Sequence, residues 1–229
     1  MVSALWGDLM DWFAPIDAYC ERLGPGLLAE PLNALSNAAF FIAALWAARA
    51  ASRRTVEPVI WLLIALVFVI GLGSLAFHTF ANRWSALADV LPITLFIYGY
   101  LAFALRRFLA FDWWKVTLGM LVLFAATVAA ERVMPPGFMN GSGAYLPALV
   151  ASVIVSLELL RKGHPAQLNV SLASTILFLS LIFRTADQVL CSFVPIGTHF
   201  IWHMLNGLVL ALYLEAAIRY GRRKAKGTP

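Results

Sequence analysis

Apolar residues run along this chain in long blocks, and short clusters of charge, proline and glycine separate them. The blocks fall at 33–51, 56–80, 85–105, 113–130, 144–160, 171–190 and 197–219. Each is close to the roughly 20 residues that a helix needs to cross about 30 Å of hydrocarbon. The pattern predicts an all-α polytopic membrane protein, a bundle of seven transmembrane helices joined by short connections. It has no internal repeat. The chain divides into an interfacial segment at 1–32, the helical bundle at 33–219 and a basic tail at 220–229, all within one domain covering 1–229.

Composition agrees. Hydrophobic residues make up 62% of the chain and charged residues 13%, whereas roughly a quarter of an ordinary soluble chain is charged. The formal charge of +5 is spread over the joints and the tail, with no clustered basic face, so nucleic acid is excluded as a partner. The same charges orient the bundle. With the N-terminus outside, thirteen Lys and Arg residues fall on the cytoplasmic side, three (Arg22, Arg83 and Arg132) fall outside, and Arg184 lies within a span. The positive-inside rule therefore predicts an outer N-terminus and an inner C-terminus. The first residues carry Asp8 and Asp11 in place of a basic leader, so no cleavable signal is expected. With Trp6, Trp12 and Phe13 they read as a stretch lying among headgroups.

Topology turns scattered polar residues into a layer. Ser74 and His78 end the second span, and Asp89 begins the third. Arg184 and Asp187 end the sixth, and His199 and His203 begin the seventh. All of them lie near the outer surface, and the inner halves of those spans are almost wholly apolar. Ionisable groups within a span cost several kcal/mol on insertion scales, so they usually face the bundle interior and serve a function. His199 and His203 are one helical turn apart on one face, and His78 can add a third nitrogen, which makes an open, catalytic type of zinc site. Other roles exist for the same residues. Histidines near a span end can reach for headgroups, Asp89 suits a helix N-terminus, and Ser74 suits close helix packing. His164 reads as an ordinary solvated residue of an inner joint.

The run Gly73-Ser74-Leu75-Ala76-Phe77-His78, then Asp89, then Gly197-Thr198-His199-Phe200-Ile201-Trp202-His203 resembles the alkaline ceramidase family. That family belongs to a superfamily of seven-helix membrane hydrolases that also includes the adiponectin and progestin receptors. Tyr19-Cys20-Glu21, Ala29 to Asn37 and Arg184 to Cys191 carry the same likeness, while spans four and five match only in hydrophobicity. The resemblance implies that His78, His199 and His203 hold zinc, with Ser74 and Asp89 as catalytic groups beside the water that attacks an amide. Arg184 and Asp187 are expected to support the site or tie helices. The family also has a disulfide at the positions of Cys20 and Cys191, for which buried free thiols are the alternative. Its eukaryotic members bind calcium through the N-terminal stretch. Here Glu21 and Glu30 match that pattern, and Asp17 and the Tyr19 carbonyl could add to it. However, Ala18 and Leu23 depart from the pattern and the segment is two residues shorter.

The expected activity is hydrolysis of ceramide or a related N-acyl lipid to a fatty acid and an amine, in a bacterial inner membrane, with the site toward the extracytoplasmic side. The partner is then a membrane lipid; the oligomeric state is open. The alternatives are a lipid-sensing receptor, for which the loops and tail offer little surface, and a hydrolase of another lipid amide or ester. A retinal pump is excluded because no Lys lies deep in a span. A transporter lacks a polar path through the inner halves.

Overall fold

The computed structural model describes residues 11–135 and 137–221. The proposed headgroup stretch up to residue 10 and most of the basic tail lie outside them. Helices α1 (Pro31–Ser36) and α2 (Ala38–Ser52) are separated by Asn37 alone. They are followed by α3 (Pro58–Phe80), α4 (Arg83–Arg107), α5 (Trp113–Val133), α6 (Leu146–Arg161), α7 (Gln167–Leu190) and α8 (His199–Tyr220). With α1 and α2 taken as one unit, and a 3₁₀ segment (Phe138–Tyr145) leading into α6, seven stretches are long and apolar enough to cross a membrane. The chain is an integral, multi-pass, all-α protein. Leucine, valine and phenylalanine side chains are exposed around its girth, where lipid rather than water suits them.

The predicted spans hold with shifted ends. Span three begins two residues earlier, at Arg83, because Asn82 and Ser85 form a reciprocal capping box that supplies the orphan donors of the first turn. Span five starts later as an α-helix. Met139, Asn140 and Gly141 adopt left-handed backbone angles inside the preceding segment, which ordinary helix cannot accommodate. His164 is half-buried, with its ring against Phe108 at 5.3 Å, and is not the freely solvated residue expected.

Two local devices set the level of the polar layer. Helix α3 stops at Ala81, whose left-handed φ of 44° turns the chain at once into α4. The last turn of α3 therefore faces the first turns of α4. Pro92 inside α4 cannot donate to the carbonyl of Ala88, and that carbonyl lies against Gly73 so closely that a Cβ there would collide with it. The residues next to this contact are Ser74 and Asp89. Helix α8 sits at the centre with the most buried span, packed against α1, α2, α3 and α7.

Replacing Gly73 with alanine should force α3 and α4 apart and destabilise the protein by about 1–3 kcal/mol, as overpacking does. Thermal melting in detergent measures this, and an unchanged midpoint would show that the close approach is not needed.

Candidate metal centre

His78 on α3 and His199 and His203 on α8 converge, all three buried, with one ligand atom from each lying within 4.8 Å of the others. Among the described residues this is the one group of histidine, cysteine or acidic side chains so arranged. The hydrogen bonds define which nitrogens face inward. His78 Nδ1 lies 2.5 Å from Glu30 Oε2. Burial would raise the Glu30 carboxyl, but hydrogen bonds with His78, Arg22 and Asn33 outweigh it and hold its pKa below the ordinary value. Glu30 is therefore an acceptor, and His78 Nδ1 carries the proton. His203 Nδ1 lies 2.7 Å from Ser36 Oγ, and that hydroxyl already donates its proton to the Asn33 carbonyl at 2.8 Å, so His203 Nδ1 donates as well.

Both Nε2 atoms are thereby left as bare lone pairs, and they face each other at 3.2 Å. Two such lone pairs repel unless a cation lies between them. Two nitrogens bonded to one tetrahedral zinc at about 2.0–2.1 Å stand about 3.3 Å apart, which matches the observed spacing. His199 adds a third imidazole, whose Nδ1 is buried without a partner among the described residues. The donor set suits a metal ion of the zinc type, and Glu30 and Ser36 are the outer partners that such ligands require.

The start of α8 is fixed from outside. Asp187 Oδ1 accepts the backbone N–H groups of Thr198 and His199 at 2.6 and 2.9 Å, and Oδ2 accepts that of Cys20 at 3.1 Å. One buried carboxylate thus caps α8 in place of a local side chain and ties in the N-terminal strap. Gly197 makes room for it: φ is 66°, and a Cβ there would strike the Asp187 carboxylate. One turn beyond, Cys191 is joined to Cys20 by a disulfide, with Cα atoms 5.3 Å apart. Tyr19 stacks on His199 with ring centroids 3.6 Å apart; burial pushes its hydroxyl well above the usual range, against a nearby Arg184.

Asp89 and Ser74 lie beside the histidines. Ser74 Oγ is 3.5 Å from His203 Nε2. Asp89 interacts with Ser74, His78 and Arg184, and its Oδ1 is buried with no hydrogen-bond partner among the described residues. Arg184 donates to the Asn140 carbonyl at 2.7 Å and to Ser142 Oγ at 3.1 Å, and its guanidinium lies over the rings of Tyr145 and Trp202.

An apolar cavity opens next to this layer at Phe40, Tyr145 and Trp202 and runs down to Tyr100 and Tyr213, with about 920 Å³ of empty space, mouth included. Helical rise puts Tyr213 about 15 Å below His203. Part of the way down, the wall carries hydroxyls, and the lining continues to Ala104 and Val170. Tyr213 bonds to Ser152 at 2.5 Å, and Ser152 bonds to Ser174 at 2.6 Å. The inner halves are therefore less uniformly apolar than the sequence suggested.

The expected calcium ligands are not gathered. Asp17 is exposed, and both oxygens of Glu21 accept backbone N–H groups, from Leu32 at 2.6 Å and Asn33 at 2.8 Å. Glu30 faces Arg22, His78 and Asn33, and the Tyr19 carbonyl accepts the backbone N–H of Arg22 at 3.2 Å. Sequence reasoning missed Arg22, Ser36 and the Glu30–His78 contact. The only available signal was that a Glu and an Asn, three residues apart at the head of a span, seldom lie there without partners.

A family model described as Ceramidase matches residues 19–227. No curated protein matches the chain.

Ser36→Ala should leave His203 Nδ1 without its acceptor and weaken metal binding about 10-fold or more, the usual cost of losing an outer partner, with the melting midpoint little changed. Chelator competition on the purified protein tests this, and wild-type affinity would show that Ser36 does not orient the ring.

Proposed function

The chain belongs to the ceramidase family, and on that premise we propose that it is a zinc-dependent intramembrane hydrolase. It cleaves the amide bond of ceramide or a related N-acyl lipid to a free fatty acid and an amine, a sphingoid base in the case of ceramide. The observation that carries the reading is the pair of bare imidazole nitrogens 3.2 Å apart beside a buried carboxylate oxygen that has no partner among the described residues. The first calls for a cation, and the second is an acceptor held ready for a proton.

His78, His199 and His203 would hold the zinc. Such an ion supplies a Lewis acid that polarises a carbonyl and acidifies water. Asp89 accepts a proton from the attacking water, whose oxygen becomes bonded to the acyl carbon. Asp89 then delivers the proton to the nitrogen as the C–N bond breaks. Ser74 donates a hydrogen bond to the oxygen that gains charge. Arg184 is held to the 3₁₀ segment by its own hydrogen bonds, so it supports the wall of the site. The apolar cavity takes the acyl chain, and a depth of about 15 Å accommodates roughly 12 extended methylene units at about 1.25 Å each.

The same reading places the protein in a bacterial inner membrane with the site toward the extracytoplasmic face. Arg49, Arg106, Lys115, Arg161 and Arg219 belong to helix ends opposite the histidines, which favours that end as cytoplasmic. A disulfide beside the site suits an oxidising compartment.

The test is mass spectrometry of products after detergent-purified protein is incubated with a panel of N-acyl lipids. Turnover should disappear with a chelator and return with zinc. His203→Ala should lose both metal and turnover, and full activity in that variant would remove the mechanism. Asp89→Asn should keep the metal and lose about 10²-fold or more in kcat, the scale of a general acid–base contribution.

A further inference from the structure

We infer that the Arg22 guanidinium is the fixed cation of the N-terminal strap, positioning Glu30 and through it His78, in a place where a calcium ion then has no role. Arg22 and Glu30 are both buried. Arg22 Nε lies 2.5 Å from Glu30 Oε1, and the other carboxylate oxygen receives His78 Nδ1 at 2.5 Å and Asn33 Nδ2 at 3.1 Å. The remaining donors of the guanidinium point at carbonyl oxygens: Nη1 at Gly24 and Gly26, 3.4 and 3.5 Å away, and Nη2 at His78, 3.4 Å away.

Arg22 therefore collects what a hard divalent cation would need here, a carboxylate and a ring of carbonyls. Calcium requires six to eight oxygens at about 2.3–2.6 Å. Glu21, the other nearby acid, has both oxygens taken by the N–H groups of Leu32 and Asn33. A divalent ion would also sit beside a buried guanidinium that is already paired with the Glu30 carboxylate. The donor set does not fit calcium.

The guanidinium reaches the metal centre by two routes. It pairs with Glu30 and so holds the carboxylate in place as the acceptor for His78 Nδ1, and it bonds to the carbonyl of His78 itself. Both contacts hold the ring with its Nε2 toward His203. An uncompensated Glu30 would be a buried charge with two weaker partners, and such groups move or become neutral. Arg22 is a positioning residue, not a catalytic one.

The positioning half rests on the three histidines holding a metal, and the calcium half does not. Cobalt serves as the probe, since its visible absorption reports the geometry of a three-histidine site. Arg22→Leu should weaken cobalt binding about 10–100-fold, the range for losing an outer partner of a ligand, and should alter the spectrum of the complex that remains. Arg22→Lys should recover part of the loss. Glu57→Gln removes the ion pair with Arg107 at the opposite end of the bundle, so it should leave the cobalt affinity and spectrum as in the wild type. Millimolar calcium or a calcium chelator should leave the wild-type midpoint and cobalt affinity unchanged. The proposal is overturned if Arg22→Leu keeps wild-type affinity and spectrum, if Glu57→Gln reproduces the loss, or if calcium shifts the wild-type protein. A wild-type protein that takes up no cobalt would sink the metal reading and the positioning half with it, while the calcium response still judges the rest.

Discussion

An imidazole nitrogen with a free lone pair, buried among hydrocarbon, has no water to turn to. Two such nitrogens 3.2 Å apart cannot persist without a positive charge between them. Much of the polar architecture at this end of the bundle follows from keeping them there. Glu30 and Ser36 occupy the far nitrogens and leave the near ones bare. Asp187 fixes the helix start from which His199 and His203 project. Cys20–Cys191 and the Asp187–Cys20 bond hold the strap that carries Tyr19 against His199. Each of these groups meets a hydrogen-bonding need of its own, and together they leave the rings little freedom to rotate.

The same constraint explains where the backbones approach most closely. Asp89 belongs to a helix that supplies no histidine, yet it must reach the site without a long, mobile side chain. A glycine at 73 and the carbonyl left free by Pro92 bring α3 and α4 together at that level, and the short Asp89 side chain then suffices. A tight left-handed turn at Ala81 rather than a loop keeps the two helices in register.

The seven spans and the depth of the histidine layer were legible in the sequence, because helical rise is constant and the joints are too short to shift one span against the next. Ser74, His78, Asp89, His199 and His203 share a level for that reason alone. Their outer partners were not legible. Ser36 meets His203 across 167 positions, and Glu30 meets His78 across 48; periodicity carries no information about such pairings. Arg22 counted only as one of few basic residues on its side, although its guanidinium turns inward. The segment before α6 looked like a simple proline- and glycine-rich joint. Its left-handed residues in fact shape the carbonyl and hydroxyl that hold Arg184.

The metal layer and the cavity share α4 and α8, and the cavity alone also draws on α5 and α6. The metal layer draws its side chains from α1, α3, α4, α7 and α8 and from the strap. Helices α5 and α6 contribute nothing to that layer, yet they supply Leu123, Ala148, Ser152 and Val155 to the cavity wall. A wall required only to be apolar and of a certain shape can change one side chain at a time at modest cost. A ring of mutually oriented imidazoles, carboxylates and backbone donors cannot, because removing one member strands the others. On the proposed reading, the length and shape of the bound chain can therefore change through the part of the wall that α5 and α6 supply with the least disturbance to the layer above it.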